Sequence, residues 1–506
     1  MRILIDTNII ISREDPKVLP ENLQFLMKVL NDLSTDILIH PLSVGEIKKD
    51  KNLDRREINL SKVSTYSILS NPPSFKNDAK FNSLITSKSP NDDIDNAILY
   101  SLYKNAVSFL ITEDKGIHKK AYKIGIFDKV LSIEEALNVF KTEPLPITPP
   151  AIYKDKVYNL DIEDKIFDTL KDDYVEFTDW FKKIQKQGRD CLVYRNKDDS
   201  LGALLIYKDE NESIELLKGS LPKKKRMKIA TLIVSSSGNK IGEFFIQWAA
   251  NYAIKKRFDE IYLTHFTKQE DYLVYLIETY GFMYAGKKNY QNKHGAYEDV
   301  FVKYLNPTTE LIKKIKDDTP INLSKIFYPN FYDGEAVRKF IVPIHPEFHE
   351  KLFLDPGRQT TLYEHGRGFI IEGNTIKKAY LSQARLSKIK PGDLLLFYRT
   401  SDLKAITCIG VVEEVHHSIN NKDEVTEIVG KRTVYSPKDI TNLVEKSPVL
   451  ILLFIFSAWL PNKVKLNKLK NTGVSSSALQ RIHEISHETY LKIKKEGGIN
   501  GSFTFN

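Results

Sequence analysis

The sequence predicts three domains in series: an α/β domain on a parallel sheet, an α+β domain, and a mainly β domain. Three observations predict this. The chain has 506 residues, more than the ~250–300 beyond which one hydrophobic core stops growing. The stretch EPLPITPPA at 143–151 carries four prolines in nine positions, and proline fixes φ and removes a donor, so it reads as an extended spacer. Before the spacer, apolar runs alternate with helical patterns; after it, strand pairs and turn-led strands dominate. A second boundary falls between Leu305 and Thr319, giving domains at 1–142, 153–306 and 307–506 with a linker at 143–152.

Composition narrows the class. With 42% hydrophobic residues, 26 Phe and 25 Tyr, the chain is neither disordered nor fibrous. Two cysteines, Cys191 and Cys408, exclude a disulfide framework or a four-cysteine zinc site and suit a reducing cytosol. The longest apolar run, Val449 to Leu460, is shorter than the ~20 residues of a spanning helix. The opening MRILIDTN lacks a signal-peptide pattern, because an Asp interrupts its first apolar stretch. The expectation is a cytoplasmic protein without a membrane partner. Net charge is +9, and residues 307–506 hold 29 basic against 22 acidic residues, which permits nucleic-acid binding without establishing it.

In the first domain, RILIDTNIII reads as a buried strand reaching Asp6 at its C-terminal end. DILIHPLSVGEI repeats the pattern and reaches Glu46 at a helix start. PNDDIDNAILYSLYKNA reads as a helix with Asp92, Asp93 and Asp95 in its first turns, where acids complement the helix dipole. AVSFLITEDKGI is a further strand, ending at Thr112 and Asp114. Parallel sheets place sites outside the C-terminal ends of their strands, so Asp6, Glu46, Asp95 and Asp114 are expected in one crevice. Four buried carboxylates repel, and a hard divalent cation with oxygen ligands relieves that repulsion and can generate hydroxide from bound water.

These residues, ILIDTN, VGEI, DNAI and LITEDKGI, make 1–140 resemble a PIN domain, a metal-dependent nuclease fold. The resemblance implies Mg²⁺ or Mn²⁺ and hydrolysis of RNA, less often DNA. It implies that Asp6, Glu46 and Asp95 hold the metal, with Asp114 binding through water or at a second position. Thr7, Asn8 and Thr112 would orient carboxylates or substrate. Asp92, one turn before Asp95, could share its face.

In the middle domain, DCLVYRNKDDSLGALLIY reads as a hairpin and PKKKRMK as a basic loop, either phosphate-seeking or simply solvated. Then KIATLIVSSSGNKIGEFFIQW places a strand, a Ser/Gly loop and an amphipathic helix in sequence, and N–H groups at such a helix start suit a pyrophosphate. DEIYLTHF and YLVYLIETYGFMYAG add a strand, a helix and a return strand. This order over 155–305 resembles the GNAT acyltransferase fold, whose resemblance implies an acetyl-CoA loop at Val234, Ser237, Gly238, Asn239, Lys240, Ile241 and Gly242. Ser237 stands where the family has Arg or Gln, and Lys240 where it has its first Gly; Gly242 keeps the second. The tyrosine that family often uses to protonate the leaving thiolate is Ile277 here.

In the last domain, KPGDLLLFYRT and AITCIGVVEEVHHS are strands, SPVLILLFIFSAWLP a fully buried segment, and SSSALQRIHEISHETYLKI a helical pattern with a Ser cap. The PGDLLLFYRT and GVVEEV pair is similar to the EVE/ASCH group of PUA-like barrels, which implies contact with RNA or modified bases. Arg385, Lys388 and Lys390 would meet phosphate, and Tyr398 and Trp459 would stack a base. His416 with His417, and His483 with His487 at helical spacing, are weaker metal candidates.

The leading expectation is a metal-dependent endoribonuclease targeted by the last domain, in an architecture that looks like bacterial toxins or defence effectors, with a neutralising or regulatory protein partner. The alternatives are an acetyl-CoA-dependent acyltransferase acting on a nucleic-acid or ribonucleoprotein substrate, and a non-catalytic nucleic-acid binder.

Overall fold

The structure, a computed structural model, describes all residues except 11–20, 34, 65, 88, 141–151, 197, 236–239, 270, 306–317, 354–374, 476, 500–503 and 506. The chain forms two compact units, one of residues 1–145 with 419–448, the other of 146–418 with 449–506. The proline-rich spacer at 143–151 lies outside the described residues.

The first unit is the expected α/β domain with a parallel sheet. Strands β1 (Arg2–Ile5), β2 (Asp36–Ile39), β3 (Ser67–Ile68), β4 (Phe109–Ile111) and β5 (Val130–Leu131) lie in the order β3-β2-β1-β4-β5, and every pair is parallel. Both faces are covered by helices, which is why β1 and β4 read as unbroken apolar runs. Ile3, Ile5, Phe109 and Ile111 pack on one side, and Leu4, Leu38 and Leu110 on the other. Residues 419–448 join this unit through polar anchors. The Met1 amine meets Asp423 at 3.0 Å and Lys129 meets Glu427 at 2.8 Å. Arg432 Nε donates to Asp128 at 2.6 Å.

The second unit contains two larger sheets. In the first, β6 (Tyr153–Lys156), β7 (Asp190–Arg195), β8 (Leu201–Glu215), β9 (Ser220–Val234), β10 (Glu260–His265), β11 (Phe282–Gln291) and β12 (Tyr297–Tyr304) lie in the order β11-β12-β10-β9-β8-β7-β6. Its pairs are antiparallel except β9 with β10. The expected hairpin is β7–β8. The expected basic loop is instead the first half of β9. Pro222 falls where the β8–β9 register shifts between Glu212 and Ile214, the place in a sheet where a missing N–H costs least. Arg226 is 1% exposed; its Nε reaches Glu260 at 2.8 Å, and its other nitrogens donate to the carbonyls of Glu212 and Pro222 at 2.8 and 2.7 Å. Buried and paired, it is not a phosphate-seeking side chain.

The second sheet of this unit holds β14 (Lys339–Ile344), β15 (Lys377–Ser382), β16 (Leu394–Arg399), β17 (Ala405–Ile419), β18 (Val449–Lys465) and β19 (His483–Ile485), in the order β15-β18-β17-β16-β14-β19. In the region expected to be a mainly β PUA-like barrel, the described residues form a six-stranded mixed sheet. A short parallel pair, β13 (Phe331–Tyr332) with β20 (Thr504–Phe505), stands apart. The apolar run predicted as buried is β18. The two sheets share a core, because Tyr328, Ile376 and Ile455 pack into the cluster built on β8, β9 and β10. Buried Lys303 ties the first sheet to the helix Pro320–Ile326, donating to the carbonyls of Tyr280 at 2.6 Å and Ile326 at 3.1 Å.

Candidate functional site

The carboxylates of the first unit sit where a parallel sheet puts functional groups. Asp6 follows β1 and is 3% exposed. Its Oδ2 accepts from the Thr112 hydroxyl at 2.7 Å and its Oδ1 from the Asn8 N–H at 3.2 Å. Thr112, fully buried after β4, also accepts the Asp114 N–H at 3.0 Å. Asp114 caps the helix Lys115–Lys123, its Oδ1 accepting from Gly116 and Ile117 at 2.7 and 3.0 Å. Thr7 is buried and Asn8 exposed at the turn leaving β1.

Asp95 lies half-buried on the helix Pro90–Tyr103, whose cap is Ser89. Burial pushes its carboxyl up to about 6; Lys120 pulls it back, while Asp114, Asp6 and Asp92 add repulsion. Asp6 is raised by burial and by Asp114, against the pull of its hydrogen bonds. Glu46 is raised by burial and by Asp6. It sits near the end of the helix Pro41–Lys48, not at a helix start as expected, and is exposed.

Two neighbours were not foreseen. Lys120 is 4% exposed and reaches Asp92 Oδ1 at 2.9 Å, so Asp92 already has a cation. His40 follows β2 one residue past the paired Leu38–Ile39 stretch; burial lowers its ring to about 4, and Nε2 is buried without a partner. Nothing local in the sequence marked either, since Lys120 meets Asp92 from 28 residues away.

The oxygen donors are of the kind that suits Mg²⁺ or Mn²⁺, but their arrangement does not. Among the described residues, no group of three or more His, Cys, Asp or Glu side chains is placed to hold a metal ion. No chemical step is therefore routed through a metal.

The seven-stranded sheet of the second unit offers a different site. β9 and β10 pair in parallel from Arg226 with Glu260 to Ile229 with Leu263 and no further. Beyond that point each keeps its other partner: β9 stays on β8 as far as Val234, and β10 stays on β12 as far as His265. The two strands therefore part, leaving one edge of β9 from Ala230 to Val234 without a strand partner among the described residues. A cavity of about 490 Å³ lies at the parting, lined by Ala230, Thr231 and Leu232 from β9, Thr264 and His265 from β10, and aromatic and charged side chains. His265 Nε2 meets Asp271 Oδ2 at 2.6 Å. Burial would raise Asp271, but the His265 hydrogen bond and charge outweigh it and hold the carboxyl at about 2. An ionised Asp271 accepts from Nε2–H and leaves Nδ1 as the basic atom of the ring. Sequence reading missed this pair, although His265 ends a strand six residues before a helix-capping Asp.

The predicted acyl-carrier loop is only partly described: Ser237, Gly238 and Asn239 lie outside the described residues. Val234 ends β9, half-buried. Lys240 adopts φ 47° just before the helix Ile241–Lys255, and its side chain makes no cap. Ile241 is buried. Gly242 packs that helix against the next, since a Cβ there would lie 2.7 Å from Leu276 Cδ2. Ile277 is fully buried.

In the last domain, Arg385, Lys388 and Lys390 are exposed. Tyr398 is 4% exposed and packs in the core, so it cannot stack a base. The Trp459 ring lies against His349, Phe353 and Phe456. His416 and His417 lie on β17, the latter exposed. His483 lies on β19 while His487 starts the helix His487–Gly497, so the expected helical i,i+4 pair does not form.

No protein-family model and no curated protein matches the chain. Among solved structures, an ASCH protein from Zymomonas mobilis is 12% identical over 31% of this chain and 94% of its own, with a TM-score of 0.24. The NatC complex bound to Gag peptide and CoA is 15% identical over 31% of this chain and 99% of that one, at 0.22. An N-acetyltransferase from Staphylococcus aureus Mu50 is 14% identical over 30% and 96%, at 0.22. Overlaps this slight assign neither fold nor activity. No helix among the described residues is long and apolar enough to cross a membrane.

Proposed function

We propose that the middle domain binds an acyl thioester of the acetyl-CoA type and passes its acyl group to an amine held in the adjoining cavity. The observation that carries this reading is the parting of β9 from β10 beyond Ile229 and Leu263. An unpaired strand edge beside a cavity suits an extended chain bearing amides, which adds to the sheet as a further strand. When bound, acetyl-CoA supplies the activated acyl carbon. The edge at Ala230–Val234 holds the carrier's amides, and the cavity wall orients the acceptor. His265 Nδ1 takes the proton from the acceptor's ammonium, with Asp271 fixing the ring and stabilising its charged form. Because Ile277 offers no proton, the same imidazolium is the group available to protonate the departing sulfur.

The test is calorimetry with acetyl-CoA on the whole chain, beside Ala230→Trp, which fills the cavity at the parting. Micromolar binding that weakens at least tenfold in the variant, with folding unchanged, supports the reading. Absence of binding at millimolar carrier overturns it.

A second reading, phosphodiester hydrolysis in the carboxylate crevice, is favoured by the mutual repulsion of Asp6, Glu46, Asp95 and Asp114. It requires those acids to close around a cation, which their present arrangement does not do. Cleavage of labelled RNA or DNA that needs Mn²⁺ or Mg²⁺ and disappears in Asp6→Asn would establish it.

A further inference from the structure

Resting on that reading of the cavity, we infer that the acceptor amine also carries a planar ring and a phosphate ester, of nucleotide size overall, and is held through that phosphate by Lys228 and Lys288. The cavity volume of about 490 Å³ falls in the range of small-molecule sites. Its charges do not balance locally. Lys208 is matched by Glu210 at 3.0 Å, and Glu298, 6% exposed, is engaged by the Tyr174 hydroxyl at 2.9 Å. No carboxylate among the described residues lies within ion-pair distance of Lys228, Lys288 or Arg189, although all three line the cavity.

Lys228 stands on β9 and Lys288 on β11. Burial lowers the Lys228 ammonium, and like-charge repulsion from Lys288 and Lys208 lowers it further against the longer-range pull of Glu210 and Glu298. Two ammonium groups that repel each other in a partly desolvated pocket are stabilised by a shared dianion, and phosphate supplies one. Aromatic side chains lining the same cavity provide the other half of the recognition. Tyr174 and Tyr290 lie nearly parallel, 19° between planes with centroids 6.2 Å apart, and Phe177 and Trp180 continue the apolar surface. Flat rings and cations in one cavity select a planar ring joined to a phosphate, which excludes a plain aliphatic amine and a free inorganic anion as the best ligand.

The experiment is calorimetry on the full chain with AMP, UMP, adenosine and inorganic phosphate, with and without saturating acetyl-CoA. Lys228→Met, Lys288→Met and the charge-keeping Lys288→Arg are compared with wild type, and circular dichroism reports folding. The inference expects a monophosphate to bind at least tenfold tighter than adenosine or phosphate alone. It expects tenfold weakening in each Met variant, substantial retention in Lys288→Arg, and unchanged acetyl-CoA affinity throughout. Equal affinity for AMP in wild type and both folded Met variants overturns it. So does a loss of acetyl-CoA affinity in those variants, since the lysines would then serve the carrier's own phosphates. If acetyl-CoA binds tightly and no monophosphate does, the acceptor inference fails while the carrier site stands; if neither binds, the reading of the cavity itself fails.

Discussion

The Thr112 hydroxyl donates to Asp6 Oδ2 at 2.7 Å while accepting the Asp114 N–H at 3.0 Å. One buried side chain therefore joins the ends of β1 and β4 and fixes two of the crevice acids relative to each other. Thr112→Val keeps the shape and removes both bonds, leaving a buried carboxylate oxygen and an N–H unsatisfied. The first unit should lose about 1–3 kcal/mol in urea unfolding; an unchanged midpoint would show that the bridge carries no stability.

Asp95 makes that unit's stability depend on pH. Its carboxyl is raised from 3.8 to about 6 in the fold, so the native state binds a proton more readily than the unfolded chain. Stability from this group therefore rises as pH falls from about 6 to 4, and the penalty is complete above 6. Asp95→Asn should stabilise the protein by roughly 2 kcal/mol at pH 8 and by little at pH 4. Equal effects at both pH values would contradict the assigned burial.

Arg226 and Glu260 test the burial of the basic run. Arg226→Met leaves a 2% exposed carboxylate with only Lys224 beside it and strips two carbonyls of their donor. A loss near 3 kcal/mol is expected in chemical unfolding. A neutral change would place this side chain in solvent, as a loop reading requires.

Gly281, just before β11, lies close against the end of the helix Pro320–Ile326. It holds φ +83°, and a Cβ there would lie 1.8 Å from the Ile326 carbonyl oxygen. Gly281→Ala must shift that backbone and should cost more than about 2 kcal/mol, read as a lower unfolding midpoint.

Much of this architecture was legible locally. Apolar runs ending in acids located β1 and β4, and the acids in the first turns of PNDDIDNAILYSLYKNA located the helix Pro90–Tyr103. What was not legible depended on partners distant in sequence. PKKKRMK has loop composition, yet Glu260, 34 residues away from Arg226, makes it a strand interior. Residues 419–448 follow β17 in sequence but anchor on Met1, Asp128 and Lys129. Tyr398 resembled a stacking residue because a strand pattern alone does not say which face is core. The same limit hid the pairing of His265 with Asp271, since such a contact is defined by distance rather than by spacing.

His265 separates binding from chemistry. His265→Ala should leave acetyl-CoA affinity within about twofold and reduce acyl transfer by ~10²–10⁴-fold, the usual contribution of general acid–base catalysis. Steady-state thiol release measured beside calorimetry decides this; an equal fall in both would make His265 a structural residue of the cavity.

The account rests most directly on the free edge of β9, and backbone hydrogen exchange reads that edge. With saturating acetyl-CoA, amides within Ala230–Val234 should gain protection while those of Arg226–Ile229, already paired with β10, stay unchanged. Tight carrier binding with no added protection at 230–234 would place the carrier elsewhere and contradict the proposed site.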